Sequence, residues 1–499
     1  MRLEILEKPD ANEDQLCFLC GTPSKNKCSY CDLVYYCGDP HFKLHRPEEL
    51  CFPFKISQRK NVGRVMVATR DIEPLELILY DTTQAFGPKN SSIVCIECLK
   101  IDPKGNCKSC KWPICDENSK CQGKHLLHSL RECEILQTSK NKEVLENPSK
   151  LVDYVCAIAP LRLLLLRDTN PDEFERFQYL MDHNEERRKD DDIWNGYKKY
   201  ITDFLRLDCN LRDDFKEEEI ERASGIFWTN AFSCSNGGGQ AVFPTFSFVS
   251  HSCTSNCDHT VFPQRHLVLQ SKVHIAAGTE LNINYISPIQ GRLKRRSKLR
   301  CKWFFDCICD RCLDATELGS HLSSHLCEFC GEILLPSDPL IMDSNYVCPS
   351  GHSKSSEEIL SFEHKVTLEM KENITKNDLE SFYKLLNKYS ANLHATHYLM
   401  ILLKRHIITI YGESTEQEDL EKKIDLCEEV LNGICKMDSG YNRDRGMVLQ
   451  YLCDAQKKLN RLLMSLGRIS EEEFKSRVEV CMKNFNEANE CLLMKIKKN

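Results

Sequence analysis

From residue 356 onward, apolar positions recur at helical spacing with little Pro or Gly. The pattern predicts six helices, over 356–373, 376–391, 394–411, 416–437, 442–466 and 470–497. Upstream, 151–167 and 171–183 carry helical spacing, and 217–223 begins another helix. Residues 191–207 read as an amphipathic helix through Ile193, Trp194, Tyr197, Tyr200, Ile201 and Phe204. The charged run 185–192 reads as a solvated connection. Two stretches change period. Over 61–81, Val65 and Val67 alternate with Met66 and Ala68, Pro74-Leu75 turns, and Glu76 to Tyr80 returns, which predicts a hairpin. Over 243–285 an apolar run enters the polar knot Ser250-His251-Ser252-Cys253-Thr254-Ser255-Asn256. A β-rich segment follows, and Gly278-Thr279-Glu280 leads into Leu281 to Tyr285. The turn Asn236 to Gly239 lacks a following Lys-Ser/Thr, so it reads as a hairpin loop and not a phosphate cradle.

A chain of 499 residues exceeds one core and suggests about three domains. Hydrophobic residues at 41% and charged residues at 28% fit a soluble globular protein. A net charge of -7 argues against direct nucleic-acid binding and against a membrane surface. The N-terminus has no apolar h-region, so no signal peptide is expected. The apolar run 157–166 is too short to span a bilayer and carries Arg162. The 30 cysteines change the picture most, 25 of them lying before residue 349. Their CxxC-like spacing, mixed with His, points to zinc and not disulfides, hence to cytoplasm or nucleus.

Cys17, Cys20, Cys28, Cys31, Cys37, His41, His45 and Cys51 offer eight ligands, enough for two tetrahedral ions. Either His41 or His45 could instead be a surface residue. Cys95, Cys98, Cys107, Cys110, Cys115, Cys121, His128 and Cys133 repeat the order, with His125 competing for the place of His128. Cys307-x-Cys309-x2-Cys312 supplies three thiolates. Cys327-x2-Cys330 with Cys348-x3-His352 reads as a small zinc ribbon, or its Cys-His ending as a chance pair.

Both eight-ligand modules resemble MYND zinc fingers. The knot resembles the Asn-His-Ser-Cys-x-Pro-Asn motif of SET domains at His251, Ser252, Cys253 and Asn256, with Ser250 for Asn and Ser255 for Pro. Gly278 to Tyr285 matches the run that ends on the catalytic Tyr, with Ser287 where an Asp is usual. A finger placed after a SET-like strand pair resembles the SET and MYND domain (SMYD) family, and the extra N-terminal finger resembles its divergent, arthropod-type branch.

The resemblance implies an α+β multidomain chain: a β-rich SET fold interrupted by a MYND module, with a helical insert, a post-SET zinc segment and an all-helical C-terminal domain. The boundaries are a finger at 1–52, SET at 53–94, a finger at 95–134 and the insert at 135–225. The SET core follows at 226–298, post-SET and ribbon at 299–355, and a tetratricopeptide-like domain at 356–499. It implies the zinc sets Cys17/Cys20/Cys37/His41, Cys28/Cys31/His45/Cys51, Cys95/Cys98/Cys115/Cys121 and Cys107/Cys110/His128/Cys133. Cys253 joins Cys307, Cys309 and Cys312. With the ribbon, about six zinc ions are expected. S-adenosylmethionine contacts are implied at Gly63, Arg64, Asn230, Ser250, His251, Tyr285, Trp303 and Phe305, with Tyr285 catalytic and Val65 at the second Gly of the usual turn.

The activity implied is S-adenosylmethionine-dependent methylation of lysine in a histone or non-histone protein, in transcriptional regulation. A monomer is expected, with proline-containing peptides as partners of the fingers and no membrane association. The alternative is a weak or inactive SET-fold zinc scaffold that recruits such partners. Val65, Ser250, Ser255 and Ser287 favour the scaffold; Gly63, Asn230, His251 and Tyr285 favour the enzyme. The five late cysteines (Cys427, Cys435, Cys453, Cys481, Cys491) are spaced like core residues.

Overall fold

The computed structural model describes residues 15, 17–19, 22–46, 51–59, 63–89, 92–116, 121, 128–140, 143–234, 238–262, 266–376 and 378–492. Cys20, His125, Asn236-Gly237 and the basic end 495–498 lie outside them. The described residues form two compact units. One contains those up to Arg70, Ile78–Ser250 and His259–Leu269; the other contains Asp71–Leu77, His251–Asp258 and those from Gln270.

In the first unit, Phe54–Arg59 pairs antiparallel with Gly63–Ala68, Phe54 opposite Ala68 and Arg59 opposite Gly63. The hairpin expected over 61–81 does not form. Leu77–Thr82 instead lies at the edge of a sheet ordered Cys257–Phe262, His266–Ser271, Leu77–Thr82. The cause is visible in Val65, Met66, Val67 and Ala68, all of them buried. A strand buried on both faces has no polar alternation to mark its partner. A third sheet places Gly239–Ala241 between Phe86–Pro88 and Phe232–Ser233, antiparallel to both. Gly87 is required there, because a Cβ would fall 2.7 Å from the Cβ of Ala159.

That contact docks the helix Ile158–Thr169, which follows Pro148–Tyr154 and a 3-10 turn at Val155–Ala157. Its residues 158–164 are all buried, which is why the segment reads as a continuous apolar run. Asp191–Tyr197 continues without a break as a π-helix over Lys198–Asp208, and Glu217–Asn230 closes the helical group. The charged run before it is not wholly solvated. Asn184–Arg187 forms one helical turn, and buried Arg187 donates to Thr229 Oγ1 at 2.6 Å. A charge without partners would not be buried there.

In the second unit, Asn282–Ile283 pairs with the strand that ends at His251. The helix Arg292–Trp303 follows, then a four-stranded antiparallel sheet of His325–Leu326, Ile333–Pro336, Tyr346–Val347 and Ser353–Lys354. Six helices complete it: Ser356–Lys376, Leu379–Ser390, Tyr398–Ile410, Gln417–Met437, Arg443–Ser465 and Glu471–Leu492. Leu379–Ser390 and Arg443–Ser465 start where side chains can satisfy free N–H groups: Asp378 accepts from Glu380 and Ser381, and Asn442 from Arg445. The core of the six packs Phe382, Leu403, Ile407, Cys427, Val430 and Leu452, so Cys427 acts as a small hydrophobe. Among the described residues, no helix is long and apolar enough to cross a membrane.

Candidate active site and its zinc centres

Five sets of Cys and His each bring four ligand atoms within 4.8 Å of one another: Cys28/Cys31/His45/Cys51, Cys95/Cys98/Cys115/Cys121, Cys107/Cys110/His128/Cys133, Cys253/Cys307/Cys309/Cys312 and Cys327/Cys330/Cys348/His352. A tetrahedral zinc with Zn–S bonds of about 2.3 Å has S···S edges of about 3.8 Å. The sulfur pairs match: 3.9 Å for Cys28–Cys51, 3.7 Å for Cys95–Cys121, 3.6 Å for Cys98–Cys115 and 3.7 Å for both Cys107–Cys133 and Cys330–Cys348. The donor sets therefore fit zinc. In the remaining set, Cys17 and Cys37 each place Sγ 3.2 Å from His41 Nδ1, and Cys20 lies outside the described residues. His41 and His45 thus face separate clusters. Burial first, then the neighbouring Cys31, pushes the Cys51 thiol up to about 12. A bound cation is what would ionise it. Cys107 differs: burial opposes its thiolate, but the backbone N–H groups of Cys110 and Ser109 hold it at about 6.

His128 presents Nε2 to Cys110 Sγ at 3.3 Å and Nδ1 to Glu132 Oε1 at 2.8 Å. Glu132 also accepts from Arg162 Nε at 2.6 Å and Nη2 at 2.9 Å. Arg162 further donates to the carbonyls of Ile96 at 2.6 Å and Phe86 at 3.2 Å. Burial opposes the Glu132 charge, yet Arg162 and His128 lower its pKa. The carboxylate keeps the proton on Nδ1 and leaves the Nε2 lone pair toward the sulfurs. Neither partner was anticipated from sequence. The signal was Arg162 itself, a lone charge inside an apolar helix, which must have a buried acid.

In the second unit the knot wraps the segment that ends at Tyr285. Asn256 donates Nδ2 to the Glu280 carbonyl at 2.8 Å and exchanges hydrogen bonds with Asn282 at 2.9 and 3.0 Å. Ser252 donates its N–H to Ile283 at 3.1 Å, and Asn284 Nδ2 donates to the Ser252 carbonyl at 2.7 Å. The Tyr285 N–H donates to His251 Nδ1 at 3.1 Å. The Tyr285 ring centroid lies 5.3 Å from that of His251 and 5.2 Å from that of Trp303, and Phe305 packs 6.0 Å from His251. Burial first, then Glu280, raises the phenol's pKa, so Tyr285 stays a protonated donor.

Next to this aromatic group, Cys253 Sγ lies 3.6 Å from Cys312 and 4.0 Å from Cys307. Arg311 donates to the Cys253 carbonyl at 3.3 Å and the Pro288 carbonyl at 3.1 Å. Arg311 and Arg295 share Glu317 Oε1 at 3.0 and 2.5 Å. Burial opposes the Glu317 charge, but the two guanidinium groups hold its pKa at about 2. Neither of these buried arginines was anticipated from sequence.

In the first unit, Gly63 sits at φ +94°, and a Cβ there would meet nothing within 4 Å. The next residue, Arg64, donates to the Tyr179 carbonyl and stacks 4.9 Å from the Phe248 ring centroid. Val65 turns its side chain into the core, so its bulk is spent there. Asn230 Nδ2 donates to the carbonyls of Met181 at 2.8 Å and Ile226 at 2.9 Å. Ser250 is half-buried in its strand.

The SET-domain family model matches residues 63–286, the stretch that holds the knot and Tyr285. The SET domain-containing protein SmydA-8, isoform A, of Drosophila melanogaster is 26% identical over 310 residues, 59% of this chain and 63% of that protein. Histone-lysine N-methyltransferase SMYD3 of Mus musculus is 28% identical over 275 residues, 50% of this chain and 59% of that one. The chain carries a SET domain and is similar to SMYD proteins. Like its relatives' match, the SMYD resemblance is partial: the chain spans 59% to 63% of the length of those two proteins. A solved structure of Rubisco LSMT bound to AdoMet aligns over 89% of this chain and 85% of that one, at 13% identity and a TM-score of 0.31, too distant to add weight.

Proposed function

We propose that the chain is an S-adenosylmethionine-dependent protein-lysine N-methyltransferase, with zinc at all six Cys/His sets and the domain boundaries given above. The observation that carries this is Tyr285: a half-buried phenol, kept protonated, fixed through its backbone by His251 and walled by Trp303. Bound S-adenosylmethionine supplies an electrophilic methyl on sulfonium. Its proposed contacts, by the resemblance to SET domains, are Gly63, Arg64, Asn230, Ser250, His251, Tyr285, Trp303 and Phe305. At Gly63 the open space over the backbone permits close approach.

Lysine methylation needs an uncharged amine in line and dry surroundings, and no protein nucleophile. The Tyr285 hydroxyl suits the first need: it donates to or accepts from an amine and so aims its lone pair. The rings of Trp303, Phe305 and His251 suit the second. The proposed substrate is a lysine in a histone or other protein. Roles in transcriptional regulation, a place in cytoplasm or nucleus, a monomeric state and capture of proline-containing peptides by the fingers belong to the same reading.

Calorimetry with S-adenosylmethionine tests it. Binding is expected, and Tyr285→Phe is expected to lower methylation of a mixed protein substrate while cofactor affinity survives. No heat at millimolar cofactor would leave a zinc scaffold instead.

A further inference from the structure

Ser255 stands where the SET motif has Pro. In the structure it is buried and carries two hydrogen bonds that a proline could not make. Lys272 Nζ donates to Ser255 Oγ at 3.0 Å, and Ser255 Oγ donates to Asn284 Oδ1 at 2.9 Å. Asn284 precedes Tyr285 and is tied by Nδ2 to the Ser252 carbonyl. Lys272 is itself buried, and its charge is met by Asp438, just past the helix Gln417–Met437. The backbone repeats the contact: Tyr441 donates its N–H to the Lys272 carbonyl at 3.1 Å, and Lys272 donates to the Asn256 carbonyl at 2.8 Å. Gly440, at φ +79°, allows it, since a Cβ there would lie 2.3 Å from the Lys272 carbonyl oxygen.

We propose that Lys272, anchored by Asp438, is a positioning residue for Tyr285, acting through Ser255 and Asn284. The inference rests on the methyltransferase reading, in which Tyr285 is the catalytic hydroxyl. The donors leave little freedom. An ammonium only donates, so Ser255 Oγ must accept from it and give its own proton to Asn284. That fixes which end of the Asn284 amide faces Ser255 and which faces Ser252. The peptide entering Tyr285 is therefore held from the side chain of Asn284 as well as from His251. At the far end Asp438 accepts from the same ammonium and holds it in place. The loss of the usual proline is thereby replaced by a polar relay reaching from the helical region of this unit to the knot.

The test is made on the full chain, loaded with zinc and carrying 13C-labelled tyrosine. The Tyr285 resonance is assigned by its loss in Tyr285→Phe. Ser255→Ala breaks the relay and keeps the ion pair. Lys272→Met with Asp438→Leu removes both charges together, so that neither is stranded. Ser255→Thr keeps the hydroxyl. The Tyr285 signal is expected to shift or broaden in the first two and to stay put in the third and in Lys458→Met, a surface control. In the assay, kcat is expected to fall roughly tenfold to a hundredfold with KM little changed. In the Tyr285→Phe background, Ser255→Ala is expected to add no further loss. A Tyr285 resonance unmoved by Ser255→Ala, or fully additive losses of kcat, would overturn the proposal. If no variant, nor the wild type, transfers methyl groups, the methyltransferase reading fails while the resonance still decides the positioning question.

Discussion

His128 holds Glu132 at 2.8 Å through Nδ1, and that contact decides which ring nitrogen faces the cysteines. Glu132→Gln weakens the acceptor and strands Arg162. Zinc affinity at the Cys107/Cys110/Cys133 set is expected to fall roughly 10- to 100-fold. Competition with a coloured chelator measures this. His128→Ala should lose one zinc equivalent outright, whereas His125→Ala should lose none; the reverse result would move the ligand to His125.

Gly63 is at φ +94° with open space above it. Gly63→Ala is expected to cost only about 1 kcal/mol of stability, as left-handed backbone in a non-glycine residue does. Its effect on cofactor affinity should be larger, because a methyl group would stand where the proposed ligand approaches. Calorimetry and a melting curve on one sample separate the two effects.

Tyr285 titrates above its ordinary value of 10.0, because burial and Glu280 both oppose the phenolate. The folded state therefore holds this proton more tightly than the unfolded chain does. The stabilisation is complete below pH 10 and is lost only as pH rises toward the folded value. Methyl transfer is thus expected to climb from pH 7 to about 9.5 as substrate lysine loses its proton, without a downturn from Tyr285. An ultraviolet difference titration of wild type against Tyr285→Phe should show no phenolate from this residue in that range.

Glu317 binds two arginines, one of which holds the Cys253 carbonyl. Glu317→Ala would leave two buried guanidinium groups without their counter-charge and is expected to cost about 3–5 kcal/mol. Denaturant unfolding in excess zinc measures it. A loss below 1 kcal/mol would mean that water replaces the carboxylate.

What could be read in advance follows the range of the interaction. Five of the Cys/His groupings were legible because their ligands come in close pairs, and the late helices because their period is local; the helix Gln417–Met437 falls almost on its expected 416–437. Strand pairing was not. Gly63–Ala68 pairs with Phe54–Arg59, a segment whose polar positions gave no clean alternation. Buried charges were the other blind spot. Arg187, Lys272, Arg295 and Arg311 look like surface residues until their acids or carbonyls are placed, and those lie up to 166 positions away. Ser255 was legible only as a departure from a motif. Its partner Lys272 gives the departure a use.

The zinc sets are not equally shielded. All four ligands of Cys107/Cys110/His128/Cys133 are buried, while Cys330 and His352 of the last set are exposed. Ligand exchange begins with a competitor reaching a sulfur or nitrogen, so release of metal should run in sequence and not all at once. Under limiting zinc or a mild oxidant, the ribbon would empty while the set behind Glu132 stayed filled. The chain would then pass through partly metallated forms, graded by access and not by affinity alone.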